Sequence, residues 1–214
     1  MKQTKLTRRQ AVRLTGAGLL SGLAFSKPAL ARLSPGIDYR EVREIQSITP
    51  HSKQVTEVFF YGCPHCYNLQ ESLYNWLETK PNHVNFERMP AVLNNQSWIF
   101  MARVYYAADD LDISEQSNRT FFDALHRDRL PLTSLGTIAE FHSQFGVTSE
   151  QFIQSFNSFK VDQAVRRAQR RTQAYGIDGV PSLIINGRYL TDLTLSGGHQ
   201  PLWQNVNTLL NLEA

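Results

Sequence analysis

The chain has 214 residues, of which 42% are hydrophobic and 19% charged, and this suits one globular domain or two small ones with a buried core. Its formal net charge of +3 comes from one end, because residues 1–31 hold six of the 22 basic residues and none of the 19 acidic ones. The remainder carries 16 basic residues against 19 acids. This balance argues against a nucleic-acid partner.

The basic start of the chain predicts an export signal. Arg8-Arg9 precedes an apolar stretch over residues 14–25, and Ala29-Leu30-Ala31 is a candidate cleavage site. We interpret residues 1–31 as a cleaved signal. The paired arginines favour the twin-arginine type, but Ala11 replaces the usual large apolar residue, so the general secretory route stays open. An uncleaved membrane anchor is the alternative, although the stretch is shorter than the roughly 20 residues that span a bilayer.

Strand and helix patterns follow an irregular lead-in, within which Tyr39 to Ile45 predicts a short edge strand. The apolar run from Gln54 to Phe60 is of strand type, and Gly62 ends it. Leu69, Leu73, Trp76 and Leu77 then follow helical spacing and predict an amphipathic helix that ends at Pro81. Residues 82–89 predict another strand. A Cys-Pro-His-Cys motif therefore lies at a strand-to-helix junction.

The middle of the chain is predicted to be helical. Thr148 and Gln151 form a candidate capping box for the last of these helices, and Gly176 would end it. Asn186-Gly187 is typical of a hairpin turn, and Pro201 suits the first turn of a final helix. The predicted helices cover residues 97–108, 115–127, 133–145 and 149–175, and the hairpin strands cover residues 182–186 and 188–191.

Cys63 and Cys66 are the only cysteines, so an intramolecular disulfide must join them. The loop that it closes is too short to restrain the unfolded chain much, which favours a redox role over a structural one. Cys63 is predicted at a helix N-terminus, where free N–H groups and the helix dipole favour the thiolate. Pro64 suits the start of a helix, and His65 adds an ionisable ring. Together they predict a low pKa for Cys63 and an oxidising disulfide, with Cys66 as the more buried, resolving thiol.

Half of a zinc site is the alternative interpretation of the cysteine pair. Zinc needs three or four protein ligands, usually Cys or His. The chain has no second cysteine pair, and its other histidines show no tight ligand spacing; they are His51, His83, His126, His142 and His199. We therefore favour redox chemistry and expect no metal site.

Three features together resemble the DsbA family of periplasmic thiol:disulfide oxidoreductases, within the thioredoxin-like superfamily. They are the segment from Glu57 to Tyr67 with its motif, the helical insert, and the segment from Gly179 to Tyr189. The resemblance covers residues 37–212. It implies an α/β thioredoxin fold, a central mixed sheet flanked by helices, with an inserted all-helical domain. We expect the thioredoxin-like domain over residues 32–92 and 175–214, and the helical insertion over residues 93–174.

The resemblance also assigns residues that spacing alone does not. It implies that Val180-Pro181 is the loop with the cis proline, which packs against the disulfide while the preceding backbone pairs with a substrate peptide. A trans turn proline is the alternative, and the residues themselves indicate only that Pro181 begins a strand. The resemblance further implies that Glu57 is a buried acid that assists proton transfer at Cys66. An exposed acid on a strand is the alternative.

The family implies an enzyme, a dithiol oxidase that donates the Cys63–Cys66 disulfide to unfolded exported proteins with reduced cysteines. A quinone-linked inner-membrane partner resembling DsbB would reoxidise it, in the periplasm of a Gram-negative bacterium. We expect a monomer with no cofactor other than the disulfide. The alternatives are a disulfide isomerase or reductase on the same fold, or a non-catalytic chaperone or metal carrier that uses the groove around Pro181.

Overall fold

A computed structural model describes residues 33–48 and 52–212, so the predicted export signal lies outside the described residues. Five strands and eight helices form within them. The strands are β1 (Arg40–Glu41), β2 (Lys53–Phe59), β3 (Val84–Pro90), β4 (Ser182–Ile185) and β5 (Tyr189–Thr191). The helices are α1 (Pro64–Thr79), α2 (Gln96–Asp110), α3 (Ser114–His126), α4 (Leu135–Ser143), α5 (Ser149–Phe156), α6 (Phe159–Tyr175), α7 (Leu193–Ser196) and α8 (His199–Leu209).

The strands form one mixed sheet in the order β1-β5-β4-β2-β3. β2 runs parallel to β3 and antiparallel to β4, and the remaining pairs are antiparallel. Helices cover both faces of the sheet. Val55 of β2 packs with apolar residues of α1 and α8, whereas Val58 packs with apolar residues of α6. A strand covered on both faces is expected to be buried along its length, and β2 is buried from Val55 to Phe59 even though Thr56 and Glu57 are polar. The predicted α/β class is confirmed.

Helices α2 to α6 follow one another between β3 and β4. A hydrophobic core fills the space among α2 to α5 and reaches the end of β2, since Phe59 and Tyr61 pack with Phe121, Phe122 and other side chains of these four helices. Within the described residues, no helix is both long and apolar enough to cross a membrane.

The predicted turn between β4 and β5 is confirmed. Asn186 and Gly187 both have positive φ, 52° and 64°, as a type I′ hairpin requires. A Cβ at position 187 would overlap the carbonyl oxygen of Gln46, so this position also requires glycine for space. The capping box of Thr148 and Gln151 is present at the start of α5, and Gly176 ends α6 with φ 68°.

Two sequence predictions were wrong in their bounds. Residues 149–175 do not form one helix, because the Ser158 side chain accepts a hydrogen bond from Val161 N and starts α6 after a break at Asn157. The predicted edge strand from Tyr39 to Ile45 shrinks to Arg40–Glu41, since only these two residues pair with β5. The short helix α7, capped by Asp192, was not predicted.

Candidate active site

Three residues separate the end of β2 from the Cys-Pro-His-Cys motif, which lies at the start of α1. Cys63 is the N-cap residue, with extended backbone angles, and Pro64 takes the first helical position. A tight turn connects the strand to the helix, in which Cys63 N donates to the carbonyl oxygen of Phe60 at 3.0 Å. A Cβ at position 62 would lie 2.6 Å from the Phe60 ring, so any residue other than Gly62 would force this ring to move.

The two thiols occupy opposite environments. Both are unpaired in the structure; Cys63 is half-buried, whereas Cys66 is fully buried. A hydrogen bond from the Cys66 thiol lowers the pKa of Cys63 to about 6, with help from the backbone N–H groups of Cys66 and His65 and from the His65 charge, against the effect of partial burial. Burial raises the pKa of Cys66 far above its ordinary value, and the nearby Cys63 adds to this effect.

This contrast has a structural cause in the helix start. Pro64 has no N–H group, so the first donors available to the Cys63 sulfur are those of His65 and Cys66. Pro64 and His65 are both exposed. Cys66 lies one turn further on, where it faces the core formed with α2 to α5. The predicted low pKa of Cys63 and burial of Cys66 are therefore present in the structure.

The predicted proline loop lies against the motif. The peptide bond between Val180 and Pro181 is cis, as the resemblance implied, and β4 begins at the next residue. The Cys63 Sγ lies 3.5 Å from the carbonyl oxygen of Val180. Pro181 itself is buried. The structure thus brings the two predicted substrate-binding residues next to the more accessible thiol.

Glu57 is completely buried, which excludes the exposed alternative. Its carboxylate accepts hydrogen bonds from Gln70 Nε2 at 2.9 Å and from Arg88 Nε at 3.1 Å. Burial raises the pKa of Glu57, although both partners act in the opposite direction. Gln70 also donates to the backbone carbonyl oxygen of Cys66, at 3.0 Å, and so connects the acid to the backbone of the buried cysteine.

Gln70 and Arg88 were not predicted as site residues from the sequence. Arg88 is the register partner of Glu57 in the parallel pair of β2 and β3, so an acid and a base stand side by side. This match could have been found by aligning the two predicted strands. Gln70 stands four residues after Cys66, one helical turn along α1.

Within residues 33–48 and 52–212, no cluster of three or more His, Cys, Asp and Glu side chains could hold a metal ion. His51, one of the histidines considered for such a site, lies outside these ranges.

The site therefore pairs a half-exposed thiol of low pKa with a buried thiol. Both lie at the start of the helix that follows a central strand, and a cis-proline loop lies against them. This arrangement defines a thiol:disulfide oxidoreductase of the thioredoxin fold. Comparison with known proteins makes this class more specific. The family model described as "DSBA-like thioredoxin domain" matches residues 54–202. The chain therefore belongs to the DSBA-like thioredoxin family, and the predicted resemblance and fold are confirmed.

Relatives and solved structures agree with the family model. The thiol:disulfide interchange protein DsbA of Burkholderia cepacia is 32% identical over 180 residues, which cover 83% of this chain and 84% of the relative. The corresponding protein of Azotobacter vinelandii is 31% identical over 164 residues, covering 77% and 76%. The crystal structure of Pseudomonas aeruginosa DsbA matches with a TM-score of 0.77 at 28% identity, covering 83% of this chain and 93% of that one. The chain is accordingly a disulfide oxidoreductase of a family that works through its own cysteine pair.

Proposed function

We propose that the protein donates its Cys63–Cys66 disulfide to unfolded exported proteins in the periplasm. The observation that carries this direction is the opposite pKa shift of the two thiols. A Cys63 pKa of about 6 means that the reduced protein holds a thiolate at neutral pH. Since the thiolate is stabilised only after reduction, the reduced form is favoured and the disulfide becomes oxidising.

The reaction consists of two exchange steps. A client thiolate attacks the Cys63 Sγ, a mixed disulfide forms, and the bond between the enzyme sulfurs breaks with its electron pair on Cys66. The client's second thiolate then attacks the client sulfur of the mixed disulfide, and Cys63 leaves as a thiolate. The client loses two electrons and gains one disulfide, while the enzyme gains both electrons.

Glu57 is the group that we assign to proton transfer at Cys66. When Cys66 leaves as a thiolate in its buried position, its high pKa requires that it take up a proton quickly. The raised pKa of Glu57 makes this carboxyl able to hold a proton nearer neutral pH than an exposed acid. Glu57 is close enough to Cys66 for its charge to raise the thiol pKa, and Gln70, which donates both to Glu57 and to the backbone carbonyl of Cys66, holds the acid beside this cysteine.

The loop at Val180 and Pro181 is our proposed docking site for the client backbone. The carbonyl oxygen of Val180 is 3.5 Å from the Cys63 sulfur, so an extended client segment bonded to this backbone would present its cysteine to Cys63. His65 and Pro64, both exposed beside Cys63, lie on the side from which a client must approach.

The cellular setting follows from the family and from the start of the chain. We propose export through residues 1–31, action as a monomer in a Gram-negative periplasm, and reoxidation by a DsbB-like, quinone-linked inner-membrane protein. Two parts of a thioredoxin-like domain, residues 32–92 and 175–214, would flank the helical insertion at 93–174. The alternative is a disulfide isomerase or reductase on the same fold, and a disulfide donor differs from either in its redox potential.

The redox equilibrium with glutathione tests the proposed direction. We expect a potential nearer that of strong protein oxidants, about −120 mV, than that of reductases, about −270 mV. Cys63→Ser should abolish oxidation of a reduced model protein. Cys66→Ser, the matched control, should also lack oxidase activity because it cannot form the disulfide. Its Cys63 should stay reactive and form a mixed disulfide with a client that already contains a disulfide, from which one client thiol is released. A reductase-like potential, or activity that persists in Cys63→Ser, would refute the proposal.

A further inference from the structure

Helix α3 of the helical segment contacts the chain on both sides of the Cys-Pro-His-Cys motif. Before the motif, the buried Tyr61 donates its hydroxyl proton to Asn118 Oδ1, at 2.9 Å. After the motif, the Tyr67 hydroxyl donates to Asp123 Oδ1, at 3.1 Å. Phe122 and His126 of α3 each contact both flanks, and of these two it is His126 that hydrogen-bonds to the backbone before the motif.

His126 lies in the last turn of α3 and is half-buried. Its Nε2 is 2.7 Å from the carbonyl oxygen of Tyr61, and its ring stacks on the Tyr67 ring with centroids 5.1 Å apart and planes 15° apart. A carbonyl oxygen can only accept a hydrogen bond, so Nε2 must carry the proton. We call residues 61–67, which contain the motif and its two flanking tyrosines, the redox loop. His126 thus holds this loop at two points, through the hydrogen bond at Tyr61 and through the ring contact at Tyr67.

We propose that His126 is a positioning residue for Cys63, acting through its hydrogen bond to the Tyr61 carbonyl. This inference rests on the proposed role of Cys63 as the attacked cysteine. The Tyr61 carbonyl lies inside the turn in which Cys63 N bonds to Phe60 O. Holding this turn keeps Cys63 at the N-cap, where its sulfur meets the N–H groups of His65 and Cys66.

Position, rather than charge, is the route by which His126 acts. The groups that lower the Cys63 pKa are Cys66 and His65, and both depend on the geometry of the helix start. Loss of the His126 donor would free the Tyr61 carbonyl and loosen the turn, so these donors would meet the sulfur less well. A rise of the Cys63 pKa from about 6 to about 7 makes the disulfide about five-fold less oxidising at pH 7.

Two replacements separate the hydrogen bond from the ring. His126→Phe keeps an aromatic ring against Tyr67 but removes the donor, whereas His126→Gln keeps an N–H donor but removes the ring. The readouts are the Cys63 titration followed by thiolate absorbance at 240 nm, and the equilibrium constant with glutathione. His83→Ala is the control. His83 is exposed just before the start of β3, and because β2 and β3 are parallel it lies at the end of the strand pair that is far from the motif.

We expect the Phe variant to raise the Cys63 pKa by about one unit and to shift the glutathione equilibrium about five-fold, and the Gln and control variants to stay within about two-fold of the parent. A Phe variant identical to the parent, or Phe and Gln variants shifted equally, would overturn the proposed donor. If the Phe variant fails to fold, nitrogen NMR of the parent decides: a proton on Nδ1 instead of Nε2 rules the bond out. The parent's own Cys63 pKa tests the role of Cys63 separately.

Discussion

We predict that the stability of the helical segment depends on pH because of His142. Its side chain is fully buried in α4, where Nδ1 pairs with the carbonyl oxygen of Ile138 at 2.8 Å. The ring stacks on Phe152 at 4.3 Å, and among the described residues Nε2 has no hydrogen-bond partner. The other rings around it belong to Phe121, Phe141 and Phe145.

Burial in this aromatic site lowers the pKa of His142 to about 4, from an ordinary value of 6.5. Between these two values the unfolded chain binds a proton more readily than the folded protein. Stability is therefore complete above pH 6.5 and is lost as the pH falls toward 4. The lower proton affinity of His142 in the folded protein reduces the free energy of unfolding by about 2–3 kcal/mol between pH 7.5 and pH 4.5.

His142→Phe should remove this pH dependence. Phenylalanine matches the surrounding rings, so we expect the variant to be close to the parent in stability at pH 7.5 and about 2–3 kcal/mol more stable than the parent at pH 4.5. Urea denaturation of both proteins at the two pH values, with the disulfide formed, measures the difference. His83→Phe, at an exposed position, should follow the parent. Equal pH dependence in parent and His142→Phe, or a His142 titration midpoint above pH 6 by NMR, would refute the reasoning.

Three further predictions concern the redox site. Iodoacetamide should alkylate Cys63 of the folded reduced protein with a rate midpoint near pH 6 and leave Cys66 unmodified; peptide mapping by mass spectrometry checks this, and equal labelling would contradict it. Glu57→Gln should slow client oxidation by about ten-fold or more in stopped-flow kinetics while the Cys63 midpoint stays in place; an unchanged rate would remove Glu57 from proton transfer. Gly62→Ala, whose Cβ would meet the Phe60 ring at 2.6 Å, should lower the free energy of unfolding by roughly 1–3 kcal/mol in urea denaturation. No loss would show that the ring moves freely.

The elements predicted correctly from the sequence are those whose determinants are local. The hairpin depends on two residues that adopt positive φ, and Asn186-Gly187 supplies both. The strand-to-helix junction depends on a change of apolar period and on Pro64 at the first helical position. The break at Asn157 was missed because both flanking segments continue the helical apolar pattern, so the capping by Ser158 was hidden.

The residues around the site that were missed depend on distant contacts. Arg88 lies 31 residues from Glu57 and contacts it only because β2 and β3 pair in parallel. His126 lies 65 residues from Tyr61, and its bond is to a backbone carbonyl, which any residue type would present. A sequence pattern therefore indicates the cysteine pair directly, whereas the side chains around it are found only after strands are paired, as for Arg88, or helices are packed, as for His126.

Two parts of the chain determine the geometry of the redox loop: the start of α1, which belongs to the loop itself, and α3, which is distant in sequence. The N–H donors at Cys63 come from the helix start itself, and any chain with a cysteine at an N-cap followed by proline has similar donors. The buried setting of Tyr61, by contrast, comes from α3, through the hydrogen bond to Asn118 and ring contacts with Phe121 and Phe122 at 4.7 and 4.9 Å. Proteins with the same motif can thus differ in redox equilibrium through residues that are far from it in sequence. In this chain, α3 is the place where such differences would act, because it contacts both flanks of the motif while the cysteines stay unchanged.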